Sequence, residues 1–486
     1  MHRLAAFVLL AALTIAASSC RDEPEGTLKI VVIGGEPKLR DPAAGPLSVP
    51  DQVLLQNVAQ GLVRFDAAGN IVSGLAERWT VSDDGLSYIF RLASTNWPDG
   101  SRVTAREVAR LIKRELGSRS KNSLKDALGA VEDVVAMTDR VIEIRLLAPR
   151  PALLSLLAQP EMAILRNGQG TGPFTAAPAP GGNLELKREI VSPDEETTTR
   201  QEVLLGGADS AGAIKAFAGA NIDVVLGGTF ADLPLTKRVK LPRNTLRFDP
   251  ASGLFGLVPT TSGGPLDKPE VRQLLSQALE RDRFIAALGV PGLAARATLL
   301  EPGLDGLPAP SAPAWTATPY ADRVPELQAR ANRLFPKDPK PAIRVALPEG
   351  TGADLLFQLL QRDWGQLGFT VERAKTAAEA DFTLVDEVAP SSSPSWFLRY
   401  FHCGALPVCA PEADELMDAA RQSPVPAQRY ALLGQAAALI DEAQLFLPIT
   451  APVRWSLVSD RIENFAGNRY ARHTLTDLEA KPDNGG

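Results

Sequence analysis

The sequence contains few residues of the types used in metal, haem and nucleophilic chemistry. Its 486 residues include three histidines and three cysteines. It has no Walker loop and no HExxH zinc motif, and the spacing of Gly168, Gly170 and Gly172 does not fit the dinucleotide-binding pattern. We therefore expect neither a cofactor nor a metal bound directly by side chains.

Long apolar runs and strongly basic segments are also missing. After residue 20, no apolar stretch approaches the length of a membrane span. The formal net charge is −6, and no run of Lys and Arg is interleaved with aromatic residues. We therefore expect no nucleic-acid partner. A chain of this length exceeds one ordinary core, which predicts two or three lobes.

The first twenty residues have the pattern of an export signal. A cationic start is followed by an apolar stretch over residues 4–17 that is too short to span a bilayer. Small residues then precede Cys20, as in a bacterial lipobox, so we expect Cys20 to be acylated and residues 21–26 to form a polar tether. Ala17 stands where lipoboxes usually carry leucine, which leaves ordinary signal-peptidase cleavage open.

Residues 61–113 specify turns, a strand and a helix start in one continuous order. Large apolar side chains alternate with other residues over 86–92, which predicts a strand with one face on a core. Asp84-Gly85 supplies the turn before that strand. Thr104 and Glu107 then form a Thr-x-x-Glu capping box, which predicts the start of a helix.

Helical and strand patterns alternate through the rest of the chain, which predicts an α/β fold. The spacing of apolar residues predicts helices over residues 213–220, 267–287, 351–367 and 430–443, and strands over 343–347 and 368–372. Residues 206–212 are rich in glycine and small residues and are predicted to form a flexible loop. Residues 336–341, which contain three prolines, predict a second loop.

Five motifs follow one another in an order that resembles a known family. They are the segment 61–113, the turn Gly170-Thr171-Gly172-Pro173-Phe174, the helical residues 266–282, and the closing segments 447–449 and 461–465. In this order they resemble the family 5 extracellular solute-binding proteins, the peptide- and nickel-binding components of ABC importers. The resemblance implies a two-lobe α/β periplasmic-binding-protein fold with an extra inserted subdomain. It also implies hinge closure around a solute, with no bond made or broken.

The resemblance further implies a division of the chain and a set of partners. Lobe I would consist of residues 27–60, 165–250 and 455–480, the inserted subdomain of residues 61–164, and lobe II of residues 251–454. The expected partners are a small-molecule or peptide ligand and the permease subunits of an ABC importer. We expect a periplasmic monomer that contacts the membrane only through its N-terminal lipid.

Asp386 and Trp396 are the predicted ligand contacts. Residues 383–390 resemble a family strand whose aspartate meets the α-ammonium of a bound peptide, and Asp386 lies four residues before Pro390, as that motif requires. The tryptophan and tyrosine of the motif are absent here, so a solvated pair of Asp386 and Glu387 is the alternative. Trp396 has the character of a stacking platform, with an ordinary core position as the alternative.

Cys403 and Cys409 remain as an even pair once Cys20 is assigned to the lipid. Their spacing predicts a disulfide across a short loop. The alternative is a metal site completed by His402, but no fourth ligand is in view and the spacing is unusual for zinc.

Two other functions remain open. Ser210, in Ala208-Asp209-Ser210-Ala211-Gly212, is one substitution away from a nucleophile elbow, which suggests a lipid-anchored serine hydrolase. Its possible bases after loss of the signal peptide are His402 and His473. The other alternative is a scaffold or sensor lipoprotein that has kept the fold without transport.

Overall fold

The computed structural model describes residues 26–191 and 198–481. The expected signal peptide, Cys20 and all but the last residue of the tether lie outside the described residues. Among the helices in these two ranges, none combines the length and the apolar character needed to cross a bilayer.

The described residues form an alternation of strands and helices. The strands are β1 (Leu28–Ile33), β2 (Val63–Phe65), β3 (Ile71–Ser73), β4 (Ala76–Val81), β5 (Ser87–Leu92), β6 (Val131–Thr138), β7 (Val141–Leu146), β8 (Thr175–Pro178), β9 (Leu184–Val191), β10 (Thr198–Ala208), β11 (Val224–Thr229), β12 (Leu246–Phe248), β13 (Gly253–Pro259), β14 (Ile343–Ala346), β15 (Val371–Arg373), β16 (Phe382–Val388), β17 (Leu447–Pro448), β18 (Arg454–Val458), β19 (Ile462–Glu463) and β20 (Glu479–Ala480). The α-helices are α1 (Val49–Val58), α2 (Ala105–Leu116), α3 (Leu153–Leu157), α4 (Ser210–Ala218), α5 (Pro269–Gln277), α6 (Arg281–Leu288), α7 (Tyr320–Leu334), α8 (Thr351–Gly365), α9 (Pro394–Leu398), α10 (Pro411–Gln422) and α11 (Pro426–Glu442).

A seven-stranded sheet has the order β12-β18-β11-β1-β10-β9-β8. Its central strand β1 pairs in parallel with β10 and β11, and β18 pairs antiparallel with β11. Leu28, Ile30 and Val32 alternate along β1 and are buried against one apolar cluster. This sheet collects strands from the beginning, middle and end of the chain.

A five-stranded sheet, β15-β14-β16-β13-β17, has its own helices. Trp364 on α8 is fully buried and donates its indole N–H to the carbonyl of Leu275 at 3.0 Å. All seven residues of β13 are buried, because this strand lies between β16 and β17. The predicted boundaries of lobe I, the inserted subdomain and lobe II remain predictions.

A four-stranded antiparallel sheet, β4-β5-β7-β6, carries the segment that begins the family resemblance. Tyr88, Phe90 and Leu92 are buried on one face of β5, as predicted. The side chain of Thr104 accepts a hydrogen bond from the Glu107 N–H and caps α2. The Glu107 carboxylate accepts the indole N–H of Trp97 at 2.8 Å, so it ties the helix to the neighbouring turn.

The prediction of one helix over residues 267–287 is wrong. The chain forms α5 and α6, separated by a break in which Glu280 has φ −85° and ψ 72°. The Glu280 N–H donates to Asp363 Oδ2 at 2.7 Å, and Arg281 then turns into the interior. The apolar spacing is helical throughout residues 267–287, but the helix breaks where Glu280 donates a hydrogen bond to Asp363 of the distant helix α8.

The prediction of a flexible loop over residues 206–212 is also wrong. Strand β10 continues to Ala208, and α4 begins at Ser210 with Asp209 as its N-cap. A Cβ atom on Gly207 would lie 1.6 Å from the carbonyl oxygen of Gly35. Glycine at this position thus allows two chain segments to approach closely.

The remaining predicted elements occur with shifted ends. Helix α8 and strand β14 lie within the predicted ranges, and residues 336–341 contain no helix or strand. Helix α11 begins earlier than predicted, at Pro426, and β15 begins later, at Val371.

The turn over residues 170–174 packs against the end of α1. The Gly172 N–H donates to the Val58 carbonyl at 3.0 Å, and a Cβ on Gly172 would lie 2.3 Å from the Val58 carbonyl carbon.

We expect Gly172→Ala to lower the free energy of unfolding by about 2 kcal/mol, because backbone atoms must shift. Urea denaturation measures this effect. Gly264→Ala is the control, because a Cβ there meets no atom within 4 Å and φ is −131°, so this variant should keep nearly all of the stability.

Candidate functional site

A cavity of about 560 Å³ lies between the seven-stranded and five-stranded sheets. Its walls come from α1, from β11, β16 and β18, from α9 and the segment that follows it, and from connecting residues that include 123–124, 161, 249 and 470–473. The polar and aromatic side chains that line it are Gln52, Gln56, Ser123, Glu161, Thr229, Asp249, Asp386, Glu387, Trp396, Arg399, Tyr400, Arg454, Trp455, Ser456, Tyr470, Arg472 and His473.

Two glycines on β11 shape one wall of the cavity. The register between β11 and β18 shifts between Val225 and Gly228, and Gly227 has a φ of 85°. The ring of Trp455 occupies the space beside Gly228, where a Cβ would lie 2.1 Å from Cε2 of the indole. The indole N–H of Trp455 donates to the Thr229 carbonyl at 2.8 Å, which fixes the ring against this wall.

Asp386 lies in the cavity wall, and its carboxylate is paired within the protein. Arg454 Nη1 lies 2.8 Å and 3.1 Å from the two carboxylate oxygens, and Arg454 Nη2 donates to the Asp386 carbonyl at 3.0 Å. Burial raises the pKa of Asp386, whereas the charge of Arg454 and its hydrogen bond act in the opposite direction. Because Asp386 is on β16 and Arg454 on β18, this ion pair joins the two main sheets across the cavity.

Trp396 also lines the cavity, but its side chain is mostly buried. It packs edge to face on Phe397, with the ring centroids 5.0 Å apart. The Arg399 guanidinium carbon lies 5.1 Å from the centre of the Trp396 ring and 5.2 Å from that of Tyr400. Burial and the nearby Glu387 raise the pKa of Tyr400, so this phenol stays neutral. Part of the Trp396 surface is therefore covered by an arginine of the same chain.

Glu161 forms a polar cluster with Gln52 and Arg472 on another wall. Its Oε1 atom accepts from Gln52 Nε2 at 2.8 Å and from Arg472 Nη2 at 3.4 Å. Its Oε2 atom is buried and accepts no hydrogen bond. The hydroxyl of Ser456, on β18, is also buried without a hydrogen-bond partner. Two residues of the cavity wall thus each carry a buried polar atom without a hydrogen-bond partner.

The histidines do not form a catalytic arrangement with Ser210. His473 Nε2 lies 3.1 Å from Asp249 Oδ2, and the ring stacks on Phe465 at a centroid distance of 4.8 Å. His402 Nδ1 lies 3.4 Å from Asp414 Oδ2. Ser210 is the first residue of α4, and neither imidazole makes a hydrogen bond to it.

Cys403 and Cys409 form a disulfide in the structure, with their Cα atoms 5.0 Å apart. Asp414, at the start of α10, accepts a hydrogen bond from the Cys403 N–H at 2.9 Å and anchors this loop. Within residues 26–191 and 198–481, no group of three His, Cys, Asp or Glu side chains is arranged to hold a metal ion.

The two residues predicted from the sequence as ligand contacts, Asp386 and Trp396, both line the cavity. The sequence did not point to four other lining residues, which are Arg454, Glu161, Arg472 and Ser456. A signal existed for Arg454, because it is a charged residue at the start of a strand whose other residues are all buried. Glu161 carried a similar signal, as an acidic residue next to the apolar residues 162–165.

A two-lobed α/β architecture with a polar cavity between its sheets defines a class of solute-binding proteins that close on their ligand. The sequence profile described as "Bacterial extracellular solute-binding proteins, family 5 Middle" matches residues 70–402. The chain therefore belongs to this family, as the order of its motifs predicted. It is an extracytoplasmic binding protein rather than an enzyme, which excludes the hydrolase built on Ser210.

Individual relatives support the same assignment. The chain is 25% identical over 474 residues to the probable di/tripeptide-binding protein 5 of Pseudomonas aeruginosa, covering 86% of this chain and 89% of the relative. The solved structures of OppA from Burkholderia pseudomallei and of the murein tripeptide binding protein MppA from Escherichia coli each superpose with a TM-score of 0.79 and 18% identity. They cover 95% and 94% of this chain, and 100% and 99% of their own. These two structures confirm the predicted two-lobe fold.

Proposed function

We propose that this chain captures a small peptide or peptide-like solute outside the cytoplasm and delivers it to an ABC permease. The observation that carries this proposal is the cavity of about 560 Å³ between the two sheets. Its volume falls within the range of about 300–1,000 Å³ that is usual for small-molecule sites. The relative named as a di/tripeptide-binding protein, which aligns along most of its length, supports a solute of this size.

The charges in the cavity wall support a solute that carries both signs. Four carboxylates and three arginines line the cavity, together with His473. A short peptide has an ammonium at one end and a carboxylate at the other. Both ends would make charge-assisted hydrogen bonds with a wall of mixed charge, and these are stronger than hydrogen bonds between neutral groups.

Contacts across the cavity support delivery by hinge closure. Gln159 Nε2 donates to the Pro390 carbonyl at 2.8 Å, and the ion pair of Asp386 and Arg454 joins β16 to β18. A solute that touches both walls would add contacts available only in the closed state and so shift the population toward closure. The permease would then bind the closed form.

The other predicted features belong to the same proposal. Asp386 and Trp396 form part of the cavity wall that would face the ligand. Asp386 would contribute by holding Arg454 in place. Acylation of Cys20 would attach the protein to the membrane, and a disulfide between Cys403 and Cys409 would fix the loop that follows α9. The protein would work as a monomer.

Thermal unfolding of the mature protein with dipeptides, tripeptides, opines, sugars and metal chelates tests the proposal. A peptide present at about 100 times its dissociation constant should stabilise the protein by about 2.7 kcal/mol and raise the melting temperature. Gly228→Ala should abolish this shift, because the new Cβ would collide with the Trp455 ring, which lines the cavity. Gly365→Ala, where a Cβ meets no atom within 4 Å, is the matched control and should keep the shift. Stabilisation by sugars or chelates but by no peptide would contradict the proposal.

A further inference from the structure

The chain passes directly between the two main sheets at two places, which we call the crossings. The first crossing, residues 249–252, leads from β12 in the seven-stranded sheet to β13 in the five-stranded sheet. The second crossing, residues 449–453, leads back from β17 to β18. In the part of the chain that the structure describes, no other strand is followed directly by a strand of the opposite main sheet. A rotation of one sheet relative to the other must therefore bend both crossings.

Residues 294–301, which we call the brace, contact both crossings. The Arg296 N–H donates to the Ile449 carbonyl at 3.0 Å, and Thr450 Oγ1 donates to the carbonyl of the first brace residue at 2.8 Å. Arg296 Nη1 also donates to the carbonyl of Gly253, directly after the first crossing, at 2.8 Å. One short segment thus holds the ends of both crossings where they meet the five-stranded sheet.

The brace belongs to the side of the molecule that contains the five-stranded sheet. Leu299 and Leu300 are buried in the same apolar cluster as Leu254 of β13 and Phe446. The Leu299 N–H donates to Asp441 Oδ1 on α11 at 2.9 Å. The brace should therefore move with the five-stranded sheet.

Ser252 links the brace to the side that contains the seven-stranded sheet. Its hydroxyl donates to Glu301 Oε1 and accepts from Arg469 Nη2 at 3.3 Å. Its N–H donates to the Arg469 carbonyl at 3.2 Å. Arg469 lies in the C-terminal segment, in which Leu475 and Leu478 are buried in the same cluster as the inward side chains of β1. The contacts from Arg469 through Ser252 to Glu301 thus run from one side of the molecule to the other.

These polar groups are buried. Ser252 is 7% exposed and Glu301 is 6% exposed, and Arg296 forms an ion pair with Glu301. Burial lowers the pKa of Arg296, whereas the charge of Glu301 and its hydrogen bond act in the opposite direction. Bending the first crossing would separate Ser252 from Glu301 or from Arg469. A buried polar group would then lose its partner, which costs free energy and favours the arrangement with both contacts made.

Building on the proposed function, we infer that Ser252 and Glu301 hold the first crossing in the closed state and so slow the release of a bound solute. Both contacts of the Ser252 hydroxyl are made in the same structure in which Gln159 donates to the Pro390 carbonyl across the cavity. Neither Ser252 nor Glu301 is among the described residues that line the cavity. They are positioning residues, which act on the solute only through the relative position of the two sheets.

Stopped-flow tryptophan fluorescence with trialanine tests this role, because Trp396 and Trp455 line the cavity. The dependence of the observed rate on peptide concentration gives the association rate constant as its slope and the dissociation rate constant as its intercept. In Ser252→Ala the dissociation rate constant should rise about fivefold, the usual effect of one hydrogen bond. The association rate constant should stay within about twofold of wild type, so the affinity should fall about fivefold as well.

Thr245→Val is the matched control. Thr245 is buried, and its Oγ1 donates to the nearby Pro242 carbonyl at 2.9 Å rather than to either crossing. This variant removes a buried hydroxyl close to the same crossing and should keep both wild-type rate constants. If Ser252→Ala does not fold, Glu301→Gln serves instead and should also raise the dissociation rate constant.

Three outcomes would overturn this role while leaving the proposed function in place. They are a wild-type dissociation rate constant in Ser252→Ala, an equal rise in Thr245→Val, and a loss of affinity that comes from slower association alone. Wild-type protein that binds neither trialanine nor any other peptide of the thermal panel would overturn the proposed function, and the role of Ser252 and Glu301 with it.

Discussion

Arg454→Met is expected to lower the free energy of unfolding by about 3 to 5 kcal/mol, the usual cost of removing one partner of a buried ion pair. The Asp386 side chain is 15% exposed and that of Arg454 is 17% exposed, so water offers each little compensation. Without Arg454, two carboxylate oxygens and the Asp386 carbonyl lose their donor. Urea denaturation followed by tryptophan fluorescence measures the loss.

The same variant should show a defined pH dependence. Burial already raises the pKa of Asp386, and removal of the Arg454 charge would raise it further. A carboxyl whose pKa is higher in the folded state binds more protons folded than unfolded, so its contribution to stability decreases as pH rises above the unfolded value of about 3.9. The difference in free energy of unfolding between wild type and Arg454→Met should therefore be larger at pH 7 than at pH 4.

Two further variants control for this result. Asp386→Asn combined with Arg454→Met removes both charges and should recover a substantial part of the stability lost in the single variant. Arg399→Met removes another arginine of the cavity. The Arg399 side chain is 33% exposed and lies 3.8 Å from the Glu387 carboxylate, so this variant should lower the free energy of unfolding by less than about 1 kcal/mol. If Arg454→Met were as stable as Arg399→Met, the ion pair of Asp386 and Arg454 would not stabilise the fold as expected.

Features encoded by neighbouring residues were predictable from the sequence. The strand with Tyr88 and Phe90 follows from side-chain alternation, and the start of α2 follows from Thr104. In each case the residues that determine the structure lie within a few positions of one another. The order of such local signals was also enough to indicate the family.

Features that depend on distant residues were not predictable. The break between α5 and α6 depends on Asp363, which is 83 residues from Glu280. The partner of Asp386 is 68 residues away, and Gln52 holds Glu161 across 109 residues. One sequence shows which residues carry charge, but not which charges the fold brings together. The cavity wall was consequently predicted in part, and the ion pair within it was missed.

Arg281 provides the second large expected effect, because it is a buried cation held by carbonyl groups. Its Nε donates to the Pro448 carbonyl at 2.7 Å and its Nη1 to the Ser276 carbonyl at 2.9 Å, while its Nη2 donates to Ser276 Oγ at 3.0 Å. Burial, with a smaller contribution from nearby Arg323, lowers the pKa of Arg281 to about 9. The guanidinium thus joins the end of α5 to β17. These elements belong to residues 266–282 and 447–449, two of the motifs that indicated the family.

Arg281→Met should lower the free energy of unfolding by about 3 kcal/mol, because several buried carbonyls lose their donor at once. Arg281→Lys keeps the charge but lacks the branched donor geometry, so its loss should be intermediate. The Arg281 guanidinium carbon lies 5.4 Å from the centre of the Trp315 ring, and that of Arg323 lies 4.9 Å from it. Arg323 is only partly buried, so Arg323→Met is the matched control. That variant should lose about 1 kcal/mol or less. Arg323 also donates to the carbonyls of Trp315 and Thr318, at 3.1 Å and 2.9 Å. Equal losses for Arg281→Met and Arg323→Met in urea denaturation would therefore mean that the buried carbonyl contacts of Arg281 stabilise the protein no more than the partly exposed contacts of Arg323.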